Sequence, residues 1–159
     1  MRIYLDTNAF YFFFFEDEKF SKGIRKVFGK MQKGEHQGVT NCLTLDELSY
    51  TVLLRLIEKK YKEHPINVIR KDKSVILEFI GVINDMFNTI FSFNNLEILD
   101  ATADTLGFIP IMMEENLLLP RDCIHLRSML DNGCQDILST DNDFDHIEVI
   151  NRIKPEDID

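Results

Sequence analysis

The chain has 159 residues, 45% of them hydrophobic and 28% charged, with seven glycines and four prolines. That length and composition predict a single domain over residues 1–159 and exclude disordered, fibrous and two-domain organisations. The net charge of −9, from 18 basic and 27 acidic residues, excludes a protein that coats a polyanion through a broad basic surface.

In chain order, Ile3-Tyr4-Leu5 is a β-prone run that ends at the polar cluster Asp6-Thr7-Asn8, read as strand then loop. The six aromatics Phe10 to Phe15 follow, and no period sorts a continuous apolar run onto one face. Some of them are expected to pack on a partner, against the plainer reading that they are core. From Ser21 to about Gly34 the spacing of Ile24, Val27, Phe28 and Met31 predicts an amphipathic helix. A second strand is predicted over Gly38–Cys42. Thr44-Leu45-Asp46-Glu47 then matches a capping box that opens a long helix to about Lys62, with Pro65 marking the break beyond it.

Another helix is predicted from about Lys73 to Phe91, pairing with the previous one as a hairpin. A strand is predicted at Leu96–Leu99, followed by a helical segment from about Ala101 to Glu115 that Pro110 must kink or split. Arg121-Asp122-Cys123-Ile124-His125-Leu126 begins a helix that ends near Asn132-Gly133. Asp136–Thr140 reads as a fourth strand and Ile147–Ile150 as a fifth. Short strands separated by helices predict a parallel sheet covered on both faces.

Cys42, Cys123 and Cys134 form neither a C-x-x-C pair nor a finger spacing, and His125 and His146 lack a second nitrogen or sulfur ligand, so zinc is not expected. A reducing cytoplasm suits these thiols. The carboxylate at position 6 interrupts any secretory leader, and the longest uncharged apolar run, Ala9 to Phe15, is short of a membrane span. A soluble, cytoplasmic protein is therefore expected.

In open parallel sheets, ligands bind beyond the carboxyl ends of the strands. Asp6 ends the first predicted strand, Asp141 and Asp143 follow the fourth, Glu47 begins the helix after the second, and Asp122 opens the helix before the fourth. Carboxylates brought together there repel each other by roughly 4 kcal/mol per pair at 4 Å and an effective dielectric near 20. Bound cations relieve this, and oxygen-only ligands select Mg²⁺ or Mn²⁺, a combination suited to phosphodiester hydrolysis. Lys22, Arg25, Lys26, Lys30 and Lys33, or Arg55, Lys59, Lys60 and Lys62, could line a path for an anionic substrate, or simply be solvated helix faces.

Leu5-Asp6-Thr7-Asn8, Leu45-Asp46-Glu47-Leu48, Pro120 to Leu126 and Ser139-Thr140-Asp141-Asn142-Asp143-Phe144 occur in that order along nearly the whole chain. Together they resemble the PIN-domain ribonucleases, most closely the VapC-like toxins of toxin–antitoxin pairs. The resemblance implies a three-layer α/β fold with strand order 3-2-1-4-5, a Mg²⁺ or Mn²⁺ centre, cleavage of structured RNA, an antitoxin partner and a homodimer. It makes Asp6, Glu47, Asp122 and Asp141 the expected metal ligands, with Asp143 a further acid of the catalytic motif. Thr140 and Asn8 become expected ligand- or substrate-holding residues. Each acid also has a plainer role: Asp6 or Asp122 as a helix cap, Glu47 as the capping-box glutamate, Asp141 and Asp143 as turn residues. A housekeeping RNA-processing nuclease and a silent binding module of the same fold are the alternatives. A haloacid-dehalogenase-like enzyme would want an acid where Asn8 stands, and a receiver domain would want paired acids near the first strand.

Overall fold

The computed structural model describes residues 1–158. Its centre is a parallel sheet in the order β3-β2-β1-β4-β5, built from β1 (Arg2–Leu5), β2 (Gln37–Asn41), β3 (Leu96–Leu99), β4 (Asp136–Leu138) and β5 (Asn151–Ile153). The strand order that the family resemblance implies is the one observed. A parallel sheet is covered on both faces, so its central strand has no polar side. Ile3, Tyr4 and Leu5 are accordingly all buried.

Successive side chains of β1 enter different cores, as the pleat requires. Ile3 and Leu5 meet α1 (Thr7–Phe14), α2 (Ser21–Gln32), α3 (Cys42–Tyr61) and α5 (Ile80–Phe91) through Phe10, Phe28, Leu48 and Ile90. Tyr4 meets α7 (Ile109–Asn116) and α8 (Pro120–Asp131) through Met112, Leu126 and Met129. The far end of α3 closes a third, small cluster with α4 (Pro65–Lys71), where Ile57 packs on Val68, Val75 and Phe79.

Several elements depart from the sequence reading. The loop expected after β1 is instead α1, which starts at once because the Asp6 side chain accepts from Thr7 N at 2.6 Å and caps it. The aromatic run belongs to this helix: Phe10 is fully buried and Tyr11 to Phe15 are half-buried against the core. It is therefore mainly core, and none of its side chains stands free in solvent.

The capping box expected at Thr44 does not form. Asn41 caps α3 by accepting from Leu43 N at 2.9 Å, which leaves Thr44 in the helix with a buried, unpartnered hydroxyl and releases Glu47 to point elsewhere. Pro65, expected only as a break, occupies the first turn of α4, where its missing N–H costs nothing. The helix predicted over 73–91 is a 3₁₀ stretch, Lys73–Phe79, followed by α5. By length and composition alone this segment could cross a membrane, but Val75, Phe79, Met86 and Ile90 are buried in the domain.

The segment near Pro110 is split, as expected, into α6 (Ala103–Gly107) and α7. The fifth strand lies at Asn151–Ile153 rather than at Ile147–Ile150. Pairing with β4, in register Asp136↔Asn151 and Leu138↔Ile153, decides its position. Backbone groups carry that pairing, so the apolar alternation of the preceding residues marks only a turn over the second core.

Candidate active site

A cavity of about 340 Å³ opens over the carboxyl ends of the central strands, and Asp6, Glu47, Asp122 and Asp141 all contribute to its wall. Asp6 ends β1. Glu47 stands in the second turn of α3, Asp122 is the third residue of α8, and Asp141 lies in the turn after β4. Four separate stretches of sequence thus bring carboxylates to one hollow.

Asp6 is the most deeply set of them, at 6% exposure. Its Oδ1 accepts from Thr7 N at 2.6 Å, and its Oδ2 accepts from Asn8 Nδ2 at 2.7 Å and from Ser139 Oγ at 2.6 Å. Burial pushes its carboxyl above the usual range, against the pull of His125 and of the Ser139 and Thr7 hydrogen bonds. Ser139 organises this corner. Besides donating to Asp6, its hydroxyl accepts from Asp141 N at 2.9 Å and from Asn8 Nδ2 at 3.1 Å. Asn8 closes the ring by accepting from Thr140 N at 2.9 Å. The start of α1 and the turn after β4 are thereby fastened to each other.

Glu47 accepts from the Thr7 hydroxyl at 2.8 Å and from Arg121 Nη1 at 3.1 Å. Asp122 has no hydrogen-bond partner among the described residues. Partial burial, then Asp141, Asp6, Asp143 and Glu47, push its carboxyl up to about 6. Behind the acids, buried His125 shares a hydrogen bond of 2.9 Å with the Tyr4 hydroxyl. Burial lowers the imidazole and Asp6 pulls it back. His146 is remote from these groups and hydrogen-bonded to the Asn116 carbonyl.

Thr140 lines the cavity, but the hydroxyl that grips Asp6 belongs to its neighbour Ser139. Asp143 is exposed, stands outside the lining and donates its N–H to Asp141 Oδ1 at 2.9 Å, while its charge still reaches Asp122. Sequence reasoning did not single out Ser139, Thr7, Arg121 or Arg152. Arg152 holds the Asp145 carboxylate through two bonds and donates to the Ser139 carbonyl at 3.2 Å, bracing the turn from behind. The one signal for Ser139 was its place in the Ser-Thr-Asp-Asn-Asp run. Thr7 and Arg121 likewise stood inside the Leu5–Asn8 and Pro120–Leu126 runs, and Arg152 had no such mark.

No group of three or more His, Cys, Asp or Glu among the described residues stands in position to hold a metal ion with the side chains as they are. The donor chemistry nonetheless fits a hard cation: oxygen ligands only, with Asp122 unpartnered and its carboxyl raised by burial and then by four other carboxylates.

A parallel sheet in the order 3-2-1-4-5 between two helical layers, with an acid-lined hollow over its central strands, defines an α/β domain with an acidic centre. The profile of the PIN domain family matches residues 3–150, and the chain belongs to that family of nucleases. No curated protein matches the sequence. Among solved structures, the fold is similar to VapBC2 from Rickettsia felis bound to a DNA fragment from its promoter (TM-score 0.60, 14% identity, 96% of this chain and 98% of that one). It is also similar to a toxin–antitoxin complex from Klebsiella pneumoniae (TM-score 0.59, 14% identity, 96% and 97%). A third is Mycobacterium tuberculosis VapC20, a sarcin-ricin loop cleaving toxin (TM-score 0.59, 13% identity, 92% and 95%).

Proposed function

We propose that this chain is a Mg²⁺- or Mn²⁺-dependent endoribonuclease that hydrolyses phosphodiester bonds in RNA, and that it is the toxin of a cytoplasmic toxin–antitoxin pair. The observation that carries this reading is the meeting of Asp6, Glu47, Asp122 and Asp141 in one cavity, where Asp122 is held at a pKa of about 6 without a partner. When bound there, a divalent cation supplies neutralising charge and lowers the pKa of a water.

Asp6, Asp122 and Asp141 are the residues that would hold it, with Glu47 acting directly or through water. Ser139, Asn8 and Thr7 fix the acids' orientation. Thr140 stands at the rim where a phosphate oxygen would arrive, and Asp143 adds negative charge to the site from outside it.

The structural relatives captured with antitoxins support an antitoxin partner here. An apolar groove lined by Phe14, Phe15, Val82 and Met86 offers a place for such a partner or for a second copy of this chain in a homodimer. One observation favours a silent binding module instead: both oxygens of Asp6 are already engaged by donors from the protein.

A crystal grown with Mn²⁺ separates these readings, since the nuclease requires anomalous density touching Asp6 and Asp122. Expression of the chain alone in a bacterial host should arrest growth, with Asp122→Asn relieving the arrest. Growth unaffected by the wild type, with cleavage intact in vitro, would assign the chain to RNA processing without an antitoxin.

A further inference from the structure

The cavity extends beyond its acids. Tyr11 and Phe12 of α1 form one wall of the extension, and Thr51 and Arg55 of α3 form the other. The spacing explains this: residues four apart share a helix face, so Thr7 leads to Tyr11 and Asn8 to Phe12, while Glu47 leads to Thr51 and Arg55. Each such step advances about 6 Å along a helix axis, placing Arg55 about 12 Å from Glu47.

The two walls differ in chemistry. One is aromatic and braced: Tyr11 stacks on Phe15 with centroids 5.0 Å apart and meets Phe12 edge-on at 5.4 Å. The other ends in a guanidinium. Arg55 is the one Lys or Arg that lines the cavity among the described residues. It is engaged only by a 3.5 Å pair with Glu58, whose two side chains are 68% and 54% exposed, a contact that costs little to break. Arg121, by contrast, is committed to Glu47.

An apolar ring beside a cation matches the two repeating features of an unpaired nucleic-acid strand, a base face and a phosphate. We propose that the groove between α1 and α3 is the path of the RNA strand on one side of the scissile bond, with Tyr11 stacking on an unpaired base and Arg55 holding a phosphate beyond it. This rests on the nuclease reading above and assigns positioning roles to residues outside the acidic set. A base-paired segment has no free base face to offer Tyr11, so the strand entering this groove is unpaired.

The test uses a fluorescein-labelled single-stranded RNA of about ten nucleotides, its binding followed by anisotropy in Ca²⁺ and its cleavage in Mn²⁺. Arg55→Ala should weaken binding about 10-fold, lower the slope of log affinity against log salt by about one and change kcat by less than about 3-fold. Arg55→Lys should recover part of the affinity. Tyr11→Leu, which keeps apolar volume for folding, should weaken binding about 10-fold, and Tyr11→Phe should restore most of it.

If the wild type binds and cuts while Arg55→Ala and Tyr11→Leu bind as it does, the proposed path is wrong and the nuclease reading stands. If these variants change only self-association in sedimentation, the groove is a protein-docking surface and the path is again overturned. A wild type that does not bind this RNA overturns the path, and one that in Mn²⁺ also leaves total cellular RNA uncut overturns the nuclease reading as well.

Discussion

Asp122 shows most clearly what the site costs the fold. Partial burial, and after it the repulsion of neighbouring carboxylates, raise its pKa from 3.8 to about 6. A folded-state pKa above the unfolded value means that this penalty is absent below about pH 4, develops between pH 4 and 6 and is complete above. In EDTA at pH 8, Asp122→Asn should therefore stabilise the protein by on the order of 1 kcal/mol after discounting for exposure, raising Tm by about 2–4 °C, while cleavage is lost. The gain should vanish at pH 3.5. Equal melting of variant and wild type at pH 8 would show that the acids do not interact. Ser139 carries the opposite burden, since its hydroxyl serves Asp6, Asp141 and Asn8 at once. Ser139→Ala should weaken Mn²⁺ binding about 10- to 100-fold by calorimetry, although Ser139 need not touch the ion. Unchanged metal affinity would leave Ser139 a purely structural residue.

At the scale of elements, α3 is the piece whose start matters most, because its first turns set where Glu47, Thr51 and Arg55 face. Asn41 caps it from the end of β2, and its Nδ2 donates to Ser128 Oγ at 2.9 Å, so one side chain ties strand, helix and α8 together. Asn41→Ala should destabilise the protein by about 1–2 kcal/mol in urea unfolding, whereas Thr44→Val, which removes a buried hydroxyl with no partner, should be neutral or stabilising. The reverse ranking would restore Thr44 as the cap. The aromatic α1 is held with equal economy: Asp6 is both its cap and the central acid, so the first turn of α1 and the site stand or fall together.

For the whole molecule, the metal is expected to act as a fold ligand. Mn²⁺ at about 100 times its Kd should add about 2.7 kcal/mol, raising Tm by about 5–10 °C. The response should be much smaller in Asp6→Asn, and an equal response there would place the ion elsewhere. The overall charge of −9 opposes RNA approach, so the path past Tyr11 and Arg55 must work locally rather than through a basic face. Lys60 and Arg25 illustrate this: both belong to runs that looked like basic faces in the sequence, and both are paired on the surface with Glu78 and Glu16.

Sequence patterns alone were enough for a parallel sheet covered by helices and for the acids that follow its strands, while the order of the strands rested on the family resemblance. Buried strands such as β1 need continuous apolar residues, and turn acids follow them directly, so both leave local marks. What the tertiary structure alone decided was everything that depends on a partner distant in the chain. Asn41 displaced the Thr44 cap by geometry, β5 moved to Asn151–Ile153 through backbone pairing with β4, and an aromatic run without period became a helix because the core closes around it. The particular roles of Ser139 and Arg152 were hidden for the same reason: a hydrogen bond across 133 positions, as between Ser139 and Asp6, is invisible until the chain has folded and brought its ends to one place.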